Sequence, residues 1–222
     1  MLGDRAGKKL EKYVPDYVVF DLEATGVNTI SDKIIEIGAI KVIGGEAVDE
    51  FSTLVDPQIP LLERITEITG IKNEDLSGAP VIEECLFLFD EFIGELPLVG
   101  HNINRFDMKM IYKEATRICS KTFTNDYIDT LPYARHLLPA LQHHGLGAMC
   151  EYYGIDSAGA HRALNDAYMN YRVYECLKQE PPSGRESRIC PLCGEILYKR
   201  SGKHGLFYSC STYPTCKYIE KI

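Results

Sequence analysis

The apolar run Tyr17-Val18-Val19-Phe20 leads directly into Asp21-Leu22-Glu23. The run reads as a buried strand, and residues i and i+2 of a strand point to the same side, so Asp21 and Glu23 share one face. Two carboxylates side by side on a core strand repel each other and lose water, a cost that a hard divalent cation relieves. Any fold of this chain must therefore bring compensating charge to the end of its first core strand. Two distant segments can complete such a site: Gly100-His101-Asn102 leading to Phe106-Asp107, and His161-Arg162-Ala163-Leu164-Asn165-Asp166. Asp107, Asp166 and the imidazole of His161 then join Asp21 and Glu23. A single Asp at a strand end usually forms a turn or caps a helix. Four acids and a histidine, each in its own local motif, are not explained that way.

The rest of the chain supports a mixed sheet covered by helices. Residues 1 to 14 form a polar lead-in, expected to be mobile. Lys33 to Val42 has a β-rich apolar pattern, and Gly44-Gly45 turns the chain towards a third strand over Ala47 to Val55. Helical stretches follow at Leu61 to Ile68, closed by Gly70, and at Ile82 to Ile93, closed by Gly94. Leu98-Val99 reads as a fourth strand, followed by a helix from about Asn104 to Cys119, and a short fifth strand lies near Tyr127-Ile128-Asp129. This order of strands and helices argues for an α/β fold with a mixed five-stranded sheet.

His161 and Asp166 on one continuous helix would lie about 140° apart and could not share a face. Gly154 to Gly159 is loop-like, so the helix is expected to start near Ala163, with Leu164, Ala167, Tyr168, Tyr171, Tyr174 and Leu177 as its apolar stripe. His161 then belongs to the loop before the helix and Asp166 to its first turn.

These segments, spanning Tyr17 to Leu177, resemble the DEDDh family of 3′→5′ exonucleases. The resemblance implies a ribonuclease H-like fold and two magnesium or manganese ions held by Asp21, Glu23, Asp107 and Asp166, with His161 activating water. Histidine suits that role, since it ordinarily titrates near neutral pH. A sister family carries Tyr four residues before the last Asp; here that position is Arg162. A departure is Ala24, where the family often has Thr. The resemblance further implies that Ala24-Thr25-Gly26 meet the terminal sugar, with Phe106, Ile68 and Thr69 near the last bases. Core packing for Phe106 and Ile68, and a turn cap for Thr25, are the ordinary alternatives.

Past Leu177 the composition changes. Residues 179–187, with Pro181-Pro182-Ser183-Gly184, read as a linker between a 15–178 domain and a 188–222 module. Cys190-x2-Cys193 and Cys210-x5-Cys216 place four thiols in a segment too short to bury a core, a pattern that folds around one structural zinc. Four cysteines complete a tetrahedral shell without His204. The segment from Cys190 to Tyr218 resembles the four-cysteine zinc ribbons at the C-terminus of bacterial type IA topoisomerases, and the resemblance implies binding of single-stranded DNA. Stacking rings beside phosphate-directed cations suit such binding, and Phe207, Tyr208 and Tyr213 alternate here with Lys199, Arg200, Lys203 and Lys217. About half of the rings in so small a module are expected to pack on the metal core instead.

The net charge is −8, but Ser183 to Ile222 carries +4, leaving −12 on the remainder. An acidic body with a basic tail assigns attraction for phosphate to the tail. The other four cysteines, Cys85, Cys119, Cys150 and Cys176, sit in apolar or helical contexts and read as packing residues of a reducing compartment. No apolar run approaches a membrane span and the N-terminus has no hydrophobic leader, so the expectation is a cytoplasmic, metal-dependent 3′→5′ exonuclease acting on single-stranded or frayed 3′ ends. A non-catalytic nucleic-acid-binding protein on the same scaffold and a polymerase-bound proofreading subunit are the alternatives.

Overall fold

The structure is a computed structural model, and it describes residues 2–180, 188, 190–193, 197–202, 205–210, 213–214 and 216–221. In chain order the elements are β1 (Leu2–Gly3), β2 (Tyr17–Ala24), β3 (Ile34–Ile43), β4 (Glu46–Leu54), α1 (Glu63–Thr69), α2 (Asn73–Leu76) and α3 (Ile82–Ile93). There follow β5 (Leu98–Gly100), α4 (Asp107–Cys119), β6 (Thr122–Phe123), β7 (Tyr127–Asp129), α5 (Thr130–Leu137), α6 (Leu146–Tyr153) and α7 (Ala163–Leu177). The C-terminal module holds β8 (Leu197–Gly202), β9 (Gly205–Cys210) and β10 (Ile219–Lys221).

The main sheet has the order β4-β3-β2-β5-β7. The first three strands form an antiparallel meander, and β5 and β7 add in parallel to β2. Strand alternation divides the side chains of β2 between two cores. Val18, Phe20, Leu22 and Ala24 face the α3 and α4 side, where Phe20 and Phe123 flank Phe89 at ring distances of 5.3 and 5.9 Å. Tyr17 and Val19 face the side covered by α7 through Ala167 and Tyr174. Burying each such large side chain stabilises the fold by roughly 1.5–3 kcal/mol. Asp21 and Glu23 continue the α7 face past its apolar part, so the site begins where that core ends.

Two expectations change. The lead-in, expected to be mobile, is paired to the body of the domain: β1 runs antiparallel to β6, Tyr127 N–H donates to Lys8 O at 2.9 Å and Leu10 N–H donates to Tyr127 O at 2.7 Å. Leu10, Tyr13 and Val14 then pack on the α7-side core. The helix expected from Asn104 starts at Asp107 instead, because Asn102 adopts a left-handed φ of 62° and Phe106 is non-helical at φ −128°, ψ −73°. By contrast α7 begins at Ala163, where the loop-like glycines place it. Gly70 and Gly94 close α1 and α3 with positive φ of 72° and 53°, values that favour residues without a Cβ.

In the C-terminal module β9 pairs antiparallel with both β8 and β10. Its small core is Cys190, Leu197 and Cys210, flanked by Tyr208, Cys216 and Tyr218. Among the described residues no helix is long and apolar enough to cross a membrane.

Candidate active site and four-cysteine cluster

Three elements place the four candidate carboxylates. Asp21 and Glu23 come from the end of β2, Asp107 from the first residue of α4, and Asp166 from the first turn of α7. Oxygens of Glu23 and Asp166 and a ring nitrogen of His161 lie within 4.8 Å of one another. Asp107 reaches the same place: its Oδ1 accepts the Leu22 backbone N–H, between Asp21 and Glu23, at 3.2 Å.

The electrostatics record the crowding. Burial, then the charges of Asp107, Asp166, Glu23 and Glu36, holds Asp21 well above the usual carboxylate range. Burial pushes Glu23 up to about 7, reinforced by Asp166 and Glu36 and opposed by Arg162. Burial likewise pushes Asp107 up to about 8, against hydrogen bonds from backbone N–H groups, with Asp129 and Glu23 adding repulsion. Asp166 is raised by burial and drawn back by the His161 N–H and imidazole. Oxygen donors that repel one another this strongly are the donor set a hard divalent cation selects, so these residues fit the metal that the family resemblance implies.

His161 sits on the loop before α7, exposed, with a left-handed φ of 67°. Its backbone N–H donates to Asp166 Oδ2 at 3.2 Å. The other nearby imidazole, His101, has a different character. Its Nδ1 lies 2.9 Å from Thr130 Oγ1, which donates to Asn170 Oδ1 at 2.8 Å, and burial lowers its pKa to about 4. His101 is therefore a neutral part of the scaffold behind the site.

Three residues that sequence reasoning did not single out shape the site. Glu36 faces Glu23 in the β2–β3 register, is 2 % exposed, and is held by Arg162 and by the Ala163 N–H at 2.9 Å. Gly38 faces Asp21, and a Cβ there would meet Leu164 N at 2.1 Å, so only glycine lets α7 start this close to the sheet. Asp129 caps α5 through the Leu131 N–H and accepts the Asn102 and Asn104 N–H groups, which orders the loop before Asp107. A lone charge inside the apolar stretch Ile34-Ile35-Glu36-Ile37 was the available signal for Glu36.

The expected substrate contacts divide. Ala24 and Thr25 are buried beside Glu23, and Thr25 Oγ1 accepts the Lys33 N–H at 3.0 Å while donating weakly to Asp32 at 3.5 Å. Gly26 lies against the Asp32 carboxylate, where a Cβ would come within 2.5 Å. Ile68 is exposed, whereas the Thr69 hydroxyl is spent inside its own turn, donating to Ile65 O and accepting from Ile71. Phe106 packs partly on the main core.

In the small module the sulfurs of Cys190, Cys193, Cys210 and Cys216 lie within 4.8 Å of one another. Cys190 Sγ is 3.6 Å from Cys216 Sγ and Cys193 Sγ is 3.3 Å from Cys210 Sγ, close to the ~3.8 Å edge of a tetrahedral zinc–thiolate shell with ~2.3 Å bonds. None of these four cysteines is in a disulfide. The donor set fits zinc. Tyr208 packs on this core and carries the Arg188 guanidinium 4.6 Å above its ring. Phe207 pairs with Arg200 across β8–β9, and Lys199, Arg200, Tyr213 and Lys217 are exposed. Lys203 and His204 lie outside the described residues, as do residues 181–187 of the linker.

The chain is similar to known proteins in sequence and in fold. Residues 18–174 match the family model RNase_T, described as "Exonuclease", and residues 187–222 match the "Topoisomerase DNA binding C4 zinc finger" model. A DNA polymerase III PolC-type of Clostridium perfringens is 44% identical over 157 residues, covering 71% of this chain but 11% of that polymerase. The DNA polymerase III subunit epsilon of Aquifex aeolicus is 39% identical over 164 residues, 74% of this chain and 81% of its own. The fold matches E. coli Exonuclease I in complex with a dA16 oligonucleotide at a TM-score of 0.66 and 16% identity, covering 75% of this chain and 41% of that one. The chain thus spans only a small part of the polymerases it matches. With the carboxylates of three elements gathered at one sheet end and matched over most of its length, the chain belongs to the exonuclease family and carries a topoisomerase-type four-cysteine zinc finger at its C-terminus.

Proposed function

We propose that the protein is a metal-dependent 3′→5′ exonuclease that shortens single-stranded DNA, or frayed 3′ ends, with its C-terminal ribbon gripping the strand. The observation that carries this reading is the approach of Glu23, His161 and Asp166 within 4.8 Å, beside Asp21 and Asp107. Asp21, Glu23, Asp107 and Asp166 would hold two magnesium or manganese ions. Bound there, divalent cations neutralise charge at the scissile phosphate and acidify the attacking water. His161, exposed on its turn, takes the proton from that water, a role its position at the open rim of the carboxylate cluster supports. Asp166 orients that turn through the His161 N–H. Thr25 and Gly26 close the adjacent loop on Asp32, which gives the terminal nucleotide a fixed wall.

The ribbon would hold one structural zinc and present Lys199, Arg200, Tyr213 and Lys217 to the strand, tethered by residues 179–187. Its own grip on substrate favours a free-standing cytoplasmic enzyme over a subunit that depends on a polymerase.

The test is incubation of purified protein with 3′-labelled and 5′-labelled single-stranded DNA and RNA, in magnesium or manganese. A ladder receding from the 3′ end is expected, with DNA preferred. Digestion from the 5′ end, or none with either metal, would overturn the reading. The His161→Ala variant should lose at least about 100-fold in turnover, within the range of general-base removal, while retaining manganese and DNA binding. Near-normal turnover would remove His161 from the mechanism.

A further inference from the structure

The Arg162–Glu36 pair lies outside the ligand set, yet it joins the residue after His161 and the start of α7 to the sheet. The Arg162 guanidinium clamps Glu36 with Nε at 3.1 and 3.2 Å from its two oxygens and Nη2 at 2.8 Å from Oε1. Glu36 Oε2 also accepts the Ala163 N–H at 2.9 Å, doing for α7 the work its own N-cap side chain does not. Arg162 is extended, at φ −128° and ψ 124°, so the residue that turns the chain before it is His161, with its left-handed φ. On the sheet side Glu36 is fixed directly across from Glu23, and two residues on, Gly38 admits the first turn of α7. One carboxylate therefore ties β3, paired beside the strand bearing Glu23, to the start of the helix bearing Asp166 and to Arg162, the residue that follows His161. A planar guanidinium holds a carboxylate through a rigid fork of N–H donors on separate nitrogens, a fixed geometry that an ammonium does not offer.

We infer that Arg162 and Glu36 form a positioning pair, which fixes the His161 turn against the Glu23 strand and withholds the Glu36 carboxylate from the metal-binding cluster beside it. The inference rests on the exonuclease reading. Removing Arg162 alone leaves Glu36 buried and unpaired beside other acids, whereas removing both charges relieves that strain. The two losses should therefore not add.

The experiment measures kcat and KM on 3′-labelled single-stranded DNA in manganese for wild type, Arg162→Ala, Arg162→Lys, Glu36→Gln and the double variant R162A/E36Q, with melting temperature as the folding control. Arg162→Ala should lower kcat about 10- to 100-fold, as a displacement of roughly 1 Å at a reacting group does, with KM within threefold of wild type. Arg162→Lys should recover part of the loss, and the double variant should turn over faster than Arg162→Ala. A kcat for Arg162→Ala within twofold of wild type, losses that simply multiply in the double variant, or a loss tracking only lowered melting temperature would each overturn the pair's role. Inactive wild-type protein would instead count against the exonuclease reading itself. Manganese binding and the His161 ring resonances provide the readout in that case: both should change in Arg162→Ala, and unchanged His161 resonances would sink the inference.

Discussion

The backbone N–H of Leu22 donates to Oδ1 of Asp107 at 3.2 Å, joining the strand that carries two of the acids to the helix that carries the third. An asparagine Oδ1 can accept the same bond, so Asp107→Asn keeps the junction and deletes only the charge. Because burial and neighbouring acids oppose that charge, Asp107→Asn is expected to raise the melting temperature of protein free of magnesium and manganese by a few degrees, at about 2–4 °C per kcal/mol. The same variant should have lost nearly all turnover. Calorimetry beside a nuclease assay checks both, and a lower melting temperature would contradict the account of the site's electrostatics.

Raised carboxylate values also set a direction for pH. With Glu23 at about 7 and Asp107 at about 8, the folded state holds protons that the unfolded chain, with ordinary carboxylates, has already released. Stability then falls as pH rises, from the unfolded range near 4 through the folded values. Melting curves from pH 5 to 8.5, with zinc retained and other divalent ions omitted, should decline, and added manganese should restore more stability at pH 8 than at pH 5. A flat response to manganese across that range would argue against a cation site.

Gly38→Ala tests how closely α7 approaches the sheet. The added methyl meets backbone atoms of Ala163 and Leu164 at 2.1 to 2.5 Å, so the helix start must shift. A destabilisation of about 1–3 kcal/mol is expected, typical of overpacking, with turnover falling further than stability because His161 and Asp166 move together. Equilibrium denaturation and single-turnover kinetics separate the two effects.

Cys210→Ser should empty the ribbon of zinc without disturbing the larger body. Since such modules fold by binding the metal, DNA affinity is expected to drop roughly tenfold and to lose part of its salt dependence, while short oligonucleotides are still cleaved. Zinc content by mass spectrometry and a salt titration of binding report on this; full affinity after zinc loss would take the ribbon out of substrate recognition.

How much of this was legible depended on range along the chain. Local patterns placed β2, β3 and α3, and the glycines before Ala163 located the start of α7, because those signals reside in neighbouring residues. The gathering of Asp21, Glu23, Asp107 and Asp166 was readable only as a joint pattern. Glu36 escaped notice because its partners, Arg162 and Ala163, lie 126 and 127 positions away. The pairing of the lead-in is hidden from sequence for a related reason: it rests on backbone bonds to Tyr127, which leave no trace in side-chain periodicity.

That lead-in has a consequence for how the molecule behaves in company. Residues 8 to 10 occupy the outer side of β7, while the opposite margin, β4, carries Glu46, Asp49 and Glu50. One rim of the sheet is already occupied and the other is electrostatically hostile to an identical neighbour. Lateral stacking of copies into ribbons is thus discouraged on both flanks, and trimming the first ten residues would open the flank that is now sealed.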